Sequence, residues 1–220
     1  MIRYDVISLA ETRRCHPFNA AYDTGEELFL GTCDSRGVGG VGVPVNTSLS
    51  MNIDSFEQLT TRIGRLRLKR CISTPASTIF VVYAPTSNYD EGEVEAFYMD
   101  LERLYREDHT FFKVIIGDFN AKIGPRRSSE ERHIRTHGLE WNEQGERLSE
   151  FIMATKTIHG NSKFQKPQRQ RWTWESPNGE YYNEIDDIIV NRKFCLTDVA
   201  VVPKFDTGSD HRLLRARFCF

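Results

Sequence analysis

Val114-Ile115-Ile116-Gly117-Asp118-Phe119-Asn120 is the stretch around which the rest of the chain organises itself. Its three apolar, β-branched residues close a near-continuous run that begins at Phe111, as expected for a strand buried on both faces. Two polar side chains then follow at i and i+2, so both project from the same side of the strand's end. Asp118 in that position can activate or orient a water, and Asn120 can donate an amide hydrogen bond to a phosphate oxygen. The mundane alternative is an Asx-rich turn that merely closes a strand.

Working outward, apolar runs recur and end in Gly, Pro, Asn or Asp clusters. Upstream lie Val6 to Ala10, Gly40 to Val43, Ile63 to Arg70 and Thr78 to Tyr83; downstream lie Ile185 to Val190, Val199 to Val202 and Leu213 to Phe220. Basic and apolar residues alternate in Ile63 to Arg70, the period of a half-buried strand, which puts Arg65, Arg67 and Lys69 on its solvent side. Two segments carry helical spacing instead. Glu91 to Arg106 aligns Val94, Phe97, Leu101, Leu104 and Tyr105 in one stripe. Asn142 caps a second helix that turns Leu148, Phe151, Ile152 and Thr155 inward, with Glu143 and Glu146 in the first turn where the dipole favours them. The pattern predicts an α/β chain forming one domain over residues 1–220.

Composition bounds the rest. At 220 residues, with 39% hydrophobic and 27% charged residues, the chain is long enough for one substantial core. No apolar run reaches the roughly 18 residues of a membrane span, and the N-terminus carries no secretory or transit pattern. Five scattered cysteines without a C-x-x-C pair argue against zinc and for reduced thiols in an intracellular, non-secreted protein. A formal charge of -2 decides nothing about nucleic acid, because a carboxylate-rich metal site lowers the total while basic groups act locally.

Three further features close or open apolar strands. Asp210-His211 follows the turn Thr207-Gly208-Ser209, and an imidazole among carboxylates can stabilise a phosphorane or serve in acid–base catalysis. Asp186, at the start of the strand Asp187-Ile188-Ile189-Val190, can hold such a histidine in one tautomer. Glu11 ends the first run and can offer Mg²⁺ a hard oxygen ligand. Lys163, Lys166, Arg169 and Arg171 precede Trp172 and Trp174, and Arg126-Arg127 follows the Asp118 loop; these are either phosphate-neutralising groups or a solvated loop. His133 and His137 are read as loop residues rather than a zinc pair.

In order, Glu11-Thr12, Tyr83-Ala84-Pro85, Gly117 to Asn120, Thr173-Trp174, Ile185-Asp186 and Ser209-Asp210-His211 resemble the motifs of the endonuclease–exonuclease–phosphatase superfamily. Asp5-Val6-Ile7 leading into Glu11-Thr12-Arg13-Arg14, and Gly117 through Gly124, resemble the endonuclease domains of RTE-type non-LTR retrotransposons and their genome-encoded relatives named for craniofacial development. The resemblance implies a four-layer α/β sandwich, two packed mixed sheets flanked by helices, with the family's opening strand and its Asn absent. It implies a Mg²⁺-dependent phosphodiesterase, with Mn²⁺ as the alternative ion, nicking DNA to leave a 3′-hydroxyl for target-primed reverse transcription.

Carried over by residue, Glu11 binds the metal with Asp210 close to it. Asp118 orients or deprotonates the water, while Asn120 and Tyr83 contact phosphate. Asp186 orients His211, and Asn88, Trp174 and Arg126 touch substrate. Asp187 stands where the family usually has Tyr or His and is expected to add a negative charge beside the site. The implied partners are DNA and, in a full-length relative, a reverse transcriptase domain, for a monomer in the nucleus or cytoplasm. The rival readings are an inositol-phosphate phosphatase of the same fold and an inactive remnant kept as a binding protein.

Overall fold

Residues 4–71, 75–202, 205 and 207–219 are described by a computed structural model. The upstream strands are β1 (Phe18–Ala21), β2 (Glu27–Leu30), β3 (Gly42–Val45), β4 (Ile53–Thr60), β5 (Ile63–Leu68), β6 (Ser77–Tyr83) and β7 (Phe112–Asp118). Downstream come β8 (Ile158–His159), β9 (Trp174–Glu175), β10 (Tyr182–Asn183), β11 (Asp186–Val190), β12 (Leu196–Val201) and β13 (Leu214–Phe218). The helices are α1 (Thr47–Ser50), α2 (Glu91–Glu107) and α3 (Glu143–Thr155). Among the described residues no helix is long and apolar enough to cross a membrane. The chain divides into two compact units, Met1–Ala84 with Glu107–Gly117, and Pro85–Arg106 with Asp118–Phe220.

Apart from the one-turn α1, the regular elements of the first unit are strands. β1, β2 and β3 form an antiparallel sheet, and β4, β5, β6 and β7 lie side by side in that order. Val41, Val43, Val45, Leu66, Leu68, Val81 and Tyr83 make its core, with Val6, Ala10 and Ile116 packed against them. The run expected as a strand at Val6 to Ala10 instead lies along β3 through single bridges, Val6 to Val45 and Leu9 to Gly42. Pro44 explains the interruption: its carbonyl accepts the Ile7 N–H at 3.1 Å, but it has no N–H to return.

On β5, Ile63, Leu66 and Leu68 are buried as expected. Arg65 corrects the sequence expectation, because its side chain is only 13% exposed and pairs with Glu57 at 2.6 Å. Asp108 is buried near it, 3.4 Å from the Arg67 guanidinium and 3.9 Å from that of Arg65. A carboxylate withdrawn from water needs such partners, so Arg65 serves an internal charge, whereas Lys69 faces solvent as expected, its side chain 62% exposed.

In the second unit α2 buries Val94, Phe97, Tyr98, Leu101, Leu104 and Tyr105, and α3 buries Leu148, Phe151 and Ile152. The Phe151 ring meets those of Tyr98 and Tyr105 at centroid distances of 6.1 and 6.3 Å. Asn142 caps α3 as predicted, accepting the Gly145 N–H at 2.8 Å. Thr155 is not part of the buried stripe; its hydroxyl donates to the Phe151 carbonyl at 2.7 Å. β11 pairs antiparallel with β8, β9 with β10, and β12 with β13.

Candidate active site

In the first unit the Tyr83 hydroxyl donates to Glu11 Oε1, and the Arg13 guanidinium lies 2.5 Å from Glu11 Oε2. Tyr83 is buried, whereas the Glu11 side chain remains 36% exposed. The segment that carries Glu11 is bent: Glu11 and Arg13 both have φ of 49°, an uncommon conformation for residues with side chains. It is received by Gly39-Gly40, whose carbonyls accept the Arg13 and Thr12 N–H groups at 3.1 and 3.0 Å. A Cβ on Gly40 would stand 2.4 Å from Thr12 Oγ1, so only glycine admits this approach. In the sequence Gly40 reads only as the start of the apolar run to Val43, and nothing local singles out Gly39.

In the second unit Asp118 is buried at the end of β7, and its Oδ1 accepts the Asn120 N–H at 2.9 Å. Asn120 has φ of 53°, a left-handed position that asparagine tolerates better than most residues. The loop is held from α3: Asn142 Oδ1 accepts the Lys122 N–H at 2.7 Å, while its amide donates to the Asn120 carbonyl at 3.2 Å. A Cβ on Gly145 would come 1.9 Å from the Lys122 carbonyl oxygen. The helix cap is therefore also a clamp on the Asp118–Asn120 loop.

His211 stands between two of the expected acids. Its Nδ1 is 2.8 Å from Asp186 Oδ2, and its Nε2 is 4.0 Å from Asp118 Oδ2. Partial burial works against a charged imidazole, but the hydrogen bond and charge of Asp186, followed by the charges of Asp118 and Asp210, push its pKa up to about 9. Asp210 turns to Trp174, whose indole N–H donates to its Oδ2 at 2.8 Å. Although burial opposes ionisation there, that bond and the neighbouring imidazolium hold the Asp210 carboxyl below its ordinary range.

Thr173 fixes the start of β11. It is fully buried, and its Oγ1 accepts the N–H groups of both Ile185 and Asp186 at 3.1 Å. Asn161 grips the same strand, donating to the Asp186 carbonyl at 2.9 Å and accepting the Ile188 N–H at 3.1 Å. Nothing local in the sequence marks Asn161, since its partners lie over twenty residues away.

Asp187 corrects a further expectation. It does not charge the site but points to the other face of β11, where Oδ1 meets His159 Nε2 at 2.7 Å; the two side chains are 2% and 1% exposed. Successive residues of a strand face opposite sides, and a buried acid calls for a partner. Arg171 is likewise no exposed phosphate contact: its side chain is 4% exposed and forks onto Glu184 at 2.9–3.0 Å. Lys163 donates to the Lys193 and Leu196 carbonyls, and Lys166 pairs with Asp198 at 2.6 Å. Arg127 binds Glu131 and Glu146 and stacks on Trp141, whereas Arg126 and Asn88 stand exposed on loops.

A family model described as "Endonuclease-reverse transcriptase" matches residues 77–215. Craniofacial development protein 2 of Bos taurus is 40% identical over 147 residues, which cover 64% of this chain and 24% of that protein. The Tragulus javanicus protein of the same name is 37% identical over 147 residues, covering 64% and 25%. The matched stretch thus spans about a quarter of the length of these relatives.

Solved structures share the fold at low identity. The AP endonuclease LMAP from Leishmania major has a TM-score of 0.72 and 15% identity, with 98% of this chain and 78% of that one covered. The endonuclease domain of TRAS1, a telomere-specific non-LTR retrotransposon, gives 0.61 and 13%, covering 88% and 78%. The 3′ phosphatase NExo from Neisseria, bound to product DNA hairpin, gives 0.65 and 14%, covering 98% and 89%. The fold class is that of these neighbours, mixed α/β with several packed sheets and few helices, as the motifs implied. With its family match extending over more than half of its length, the chain belongs to the endonuclease-reverse transcriptase family, within the endonuclease/exonuclease/phosphatase superfamily.

Proposed function

We propose that this chain is a metal-dependent phosphodiesterase that nicks DNA and leaves a 5′-phosphate and a 3′-hydroxyl. The observation that carries the reading is His211, bonded through Nδ1 to Asp186 at 2.8 Å and directing Nε2 toward the buried Asp118 at 4.0 Å. With Nδ1–H donated to Asp186, an imidazolium presents Nε2–H as a donor to a phosphoryl oxygen, where charge accumulates in the transition state. Asp118 accepts a proton from the attacking water, and Asn120 offers its amide to the phosphate. Trp174, Arg126 and Asn88 are proposed as substrate contacts, and Tyr83 as a phosphate contact through its hydroxyl.

Glu11 and Asp210 are each proposed as hard-oxygen donors to Mg²⁺. The donors fit such an ion: the Glu11 carboxylate is partly exposed, and its present countercharge is the exposed Arg13 guanidinium. Among the described residues no group of three or more His, Cys, Asp or Glu could hold a metal. Mg²⁺ does not require one, since water and substrate oxygens fill most of its shell. The chemistry that ion supplies is polarisation of the phosphoryl oxygen and neutralisation of charge on the leaving oxygen.

The likeness to a retrotransposon endonuclease and the family's name favour DNA as the substrate, with a reverse transcriptase domain in longer relatives and a nuclear place of action. The test is nicking of supercoiled plasmid by the purified chain with Mg²⁺, beside EDTA and Asp118→Ala controls. Metal-dependent nicking lost in the variant is the expected outcome. A folded wild type as inert as the variant refutes it and turns attention to inositol phosphates.

A further inference from the structure

Four of the five cysteines fall into two facing pairs, one in each unit, although the sequence scatters them. Cys195 immediately precedes β12 and Cys219 immediately follows β13. The register Leu196↔Phe218, carried one step outward, sets Cys195 opposite Cys219. The Cys219 N–H donates to the Cys195 carbonyl at 2.8 Å, which continues the ladder to this pair. Directly opposed residues that share a ladder hydrogen bond have Cα atoms about 5.5 Å apart. That separation lies inside the window of roughly 4.4–6.8 Å that a disulfide spans.

The second pair forms in the first unit. The Cys33 N–H donates to the Arg14 carbonyl at 2.8 Å, which brings Cys15 alongside. Burial, followed by the neighbouring Cys15 thiol, raises the pKa of the Cys33 thiol. One member of each pair, Cys15 and Cys219, is exposed, so a small reagent has access to both. None of these residues belongs to the proposed catalytic machinery.

We infer that Cys15–Cys33 and Cys195–Cys219 are two dithiol modification sites, each closing to an intramolecular disulfide when it meets a low-molecular-weight disulfide. One cysteine, as its thiolate, attacks a sulfur of the reagent; the reagent's S–S bond breaks and one reagent thiolate leaves. The second cysteine loses its proton and attacks the protein-side sulfur of the mixed disulfide, forming the internal S–S bond and expelling the second thiolate. Two electrons pass from the pair to the reagent, and the two released protons end on the two reagent thiols.

Both closures act on segments of interest. Cys15 lies four residues beyond Glu11, so the first disulfide ties the bent Glu11–Arg14 segment to residue 33. The second closes a loop that contains Asp210 and His211.

The experiment treats the folded, reduced full chain with oxidised glutathione over a range of ratios to its reduced form. Remaining thiols are then alkylated, and the linkages are mapped by mass spectrometry without reduction. Two intramolecular linkages are expected, Cys15–Cys33 and Cys195–Cys219, each removing two alkylatable thiols. Cys33→Ser is expected to abolish the first linkage alone and Cys219→Ser the second alone. Thiols that stay reduced or stop at mixed disulfides, or linkages that join the two pairs to each other or join separate molecules, overturn the inference.

Discussion

Two neighbouring aspartates on β11 form two His–Asp pairs of nearly equal length in opposite surroundings. Asp186 meets His211 at 2.8 Å with side chains 22% and 29% exposed; Asp187 meets His159 at 2.7 Å with side chains 2% and 1% exposed. The first pair has a further acid at the imidazole's other nitrogen, Asp118, and is open to a ligand. Among the described residues the second has none: His159 Nδ1 and Asp187 Oδ2 are buried without a hydrogen-bond partner there, as is the Tyr98 hydroxyl. Burial pushes the Asp187 carboxyl up, while the His159 charge and hydrogen bond pull it only partly back. Distance alone thus does not separate the proposed catalytic dyad from the buried one. What separates them is the free nitrogen's partner and its access to solvent.

The largest expected effect comes from Asp186→Asn. It removes the carboxylate that orients His211 and should lower plasmid nicking by roughly 10³–10⁴-fold, the scale known for such orienting acids. Its melting temperature should fall by only about 2–6 °C, because a partly solvated pair contributes less than a buried one. If Asp186→Asn instead destabilises the chain as much as changes to the buried pair do, the two dyads are not different in kind.

His159→Ala comes next and inverts the pattern. It strands Asp187 without a partner in the interior, a loss of about 3–5 kcal/mol in urea-unfolding free energy. Nicking per folded molecule should remain within roughly tenfold, about 1.4 kcal/mol of barrier. Replacing the pair together, His159→Leu with Asp187→Leu, should recover most of the lost stability. A double variant as unstable as the single one would mean that the buried pair contributes more than mutual neutralisation.

A smaller effect is expected from pH. The His211 pKa is raised from 6.5 to about 9 in the folded chain, so the native state holds an extra proton between those values. The stabilisation it contributes is fully present below about pH 6.5 and is lost as pH rises through about 9. Urea unfolding of metal-free protein should show a decline on the order of 1–3 kcal/mol across that window, and His211→Asn should flatten it. An unchanged slope in the variant would assign the decline to another group.

The smallest effect is expected from Trp174→Phe, which deletes the indole donor to Asp210. Nicking should fall by about fivefold, close to 1 kcal/mol, the net worth of one such hydrogen bond. No change would leave Trp174 as packing alone.

Much of this architecture was readable because it is written in local periodicity. β5, β6, β7, β11, α2 and α3 all carry apolar spacing that only one kind of element satisfies. β4 was missed since Ile53-Asp54-Ser55-Phe56-Glu57-Gln58-Leu59-Thr60 follows neither period; its polar residues are paid for at a distance, Glu57 by Arg65 and Gln58 by the backbone of Thr32. Within the site, Asp118, Asp186, Asp210 and His211 were visible as acids and an imidazole at strand ends. The sequence could not say that Asp187 turns inward, because its partner His159 is twenty-eight residues away. Nor did it distinguish Arg171, which answers Glu184, from the exposed Arg126.

The side-by-side aspartates also place a demand on assembly. A β11 strand seated one residue out of step would turn over every side chain, offering Asp187 to His211 and Asp186 to His159. Both mismatched pairs would still look like hydrogen-bonded dyads, so their own attraction gives little protection against the error. Thr173, gripping two successive amides, and Asn161, reading one carbonyl and one amide on the same strand, are sensitive to sliding in a way the dyads are not. They act as proofreaders of alignment.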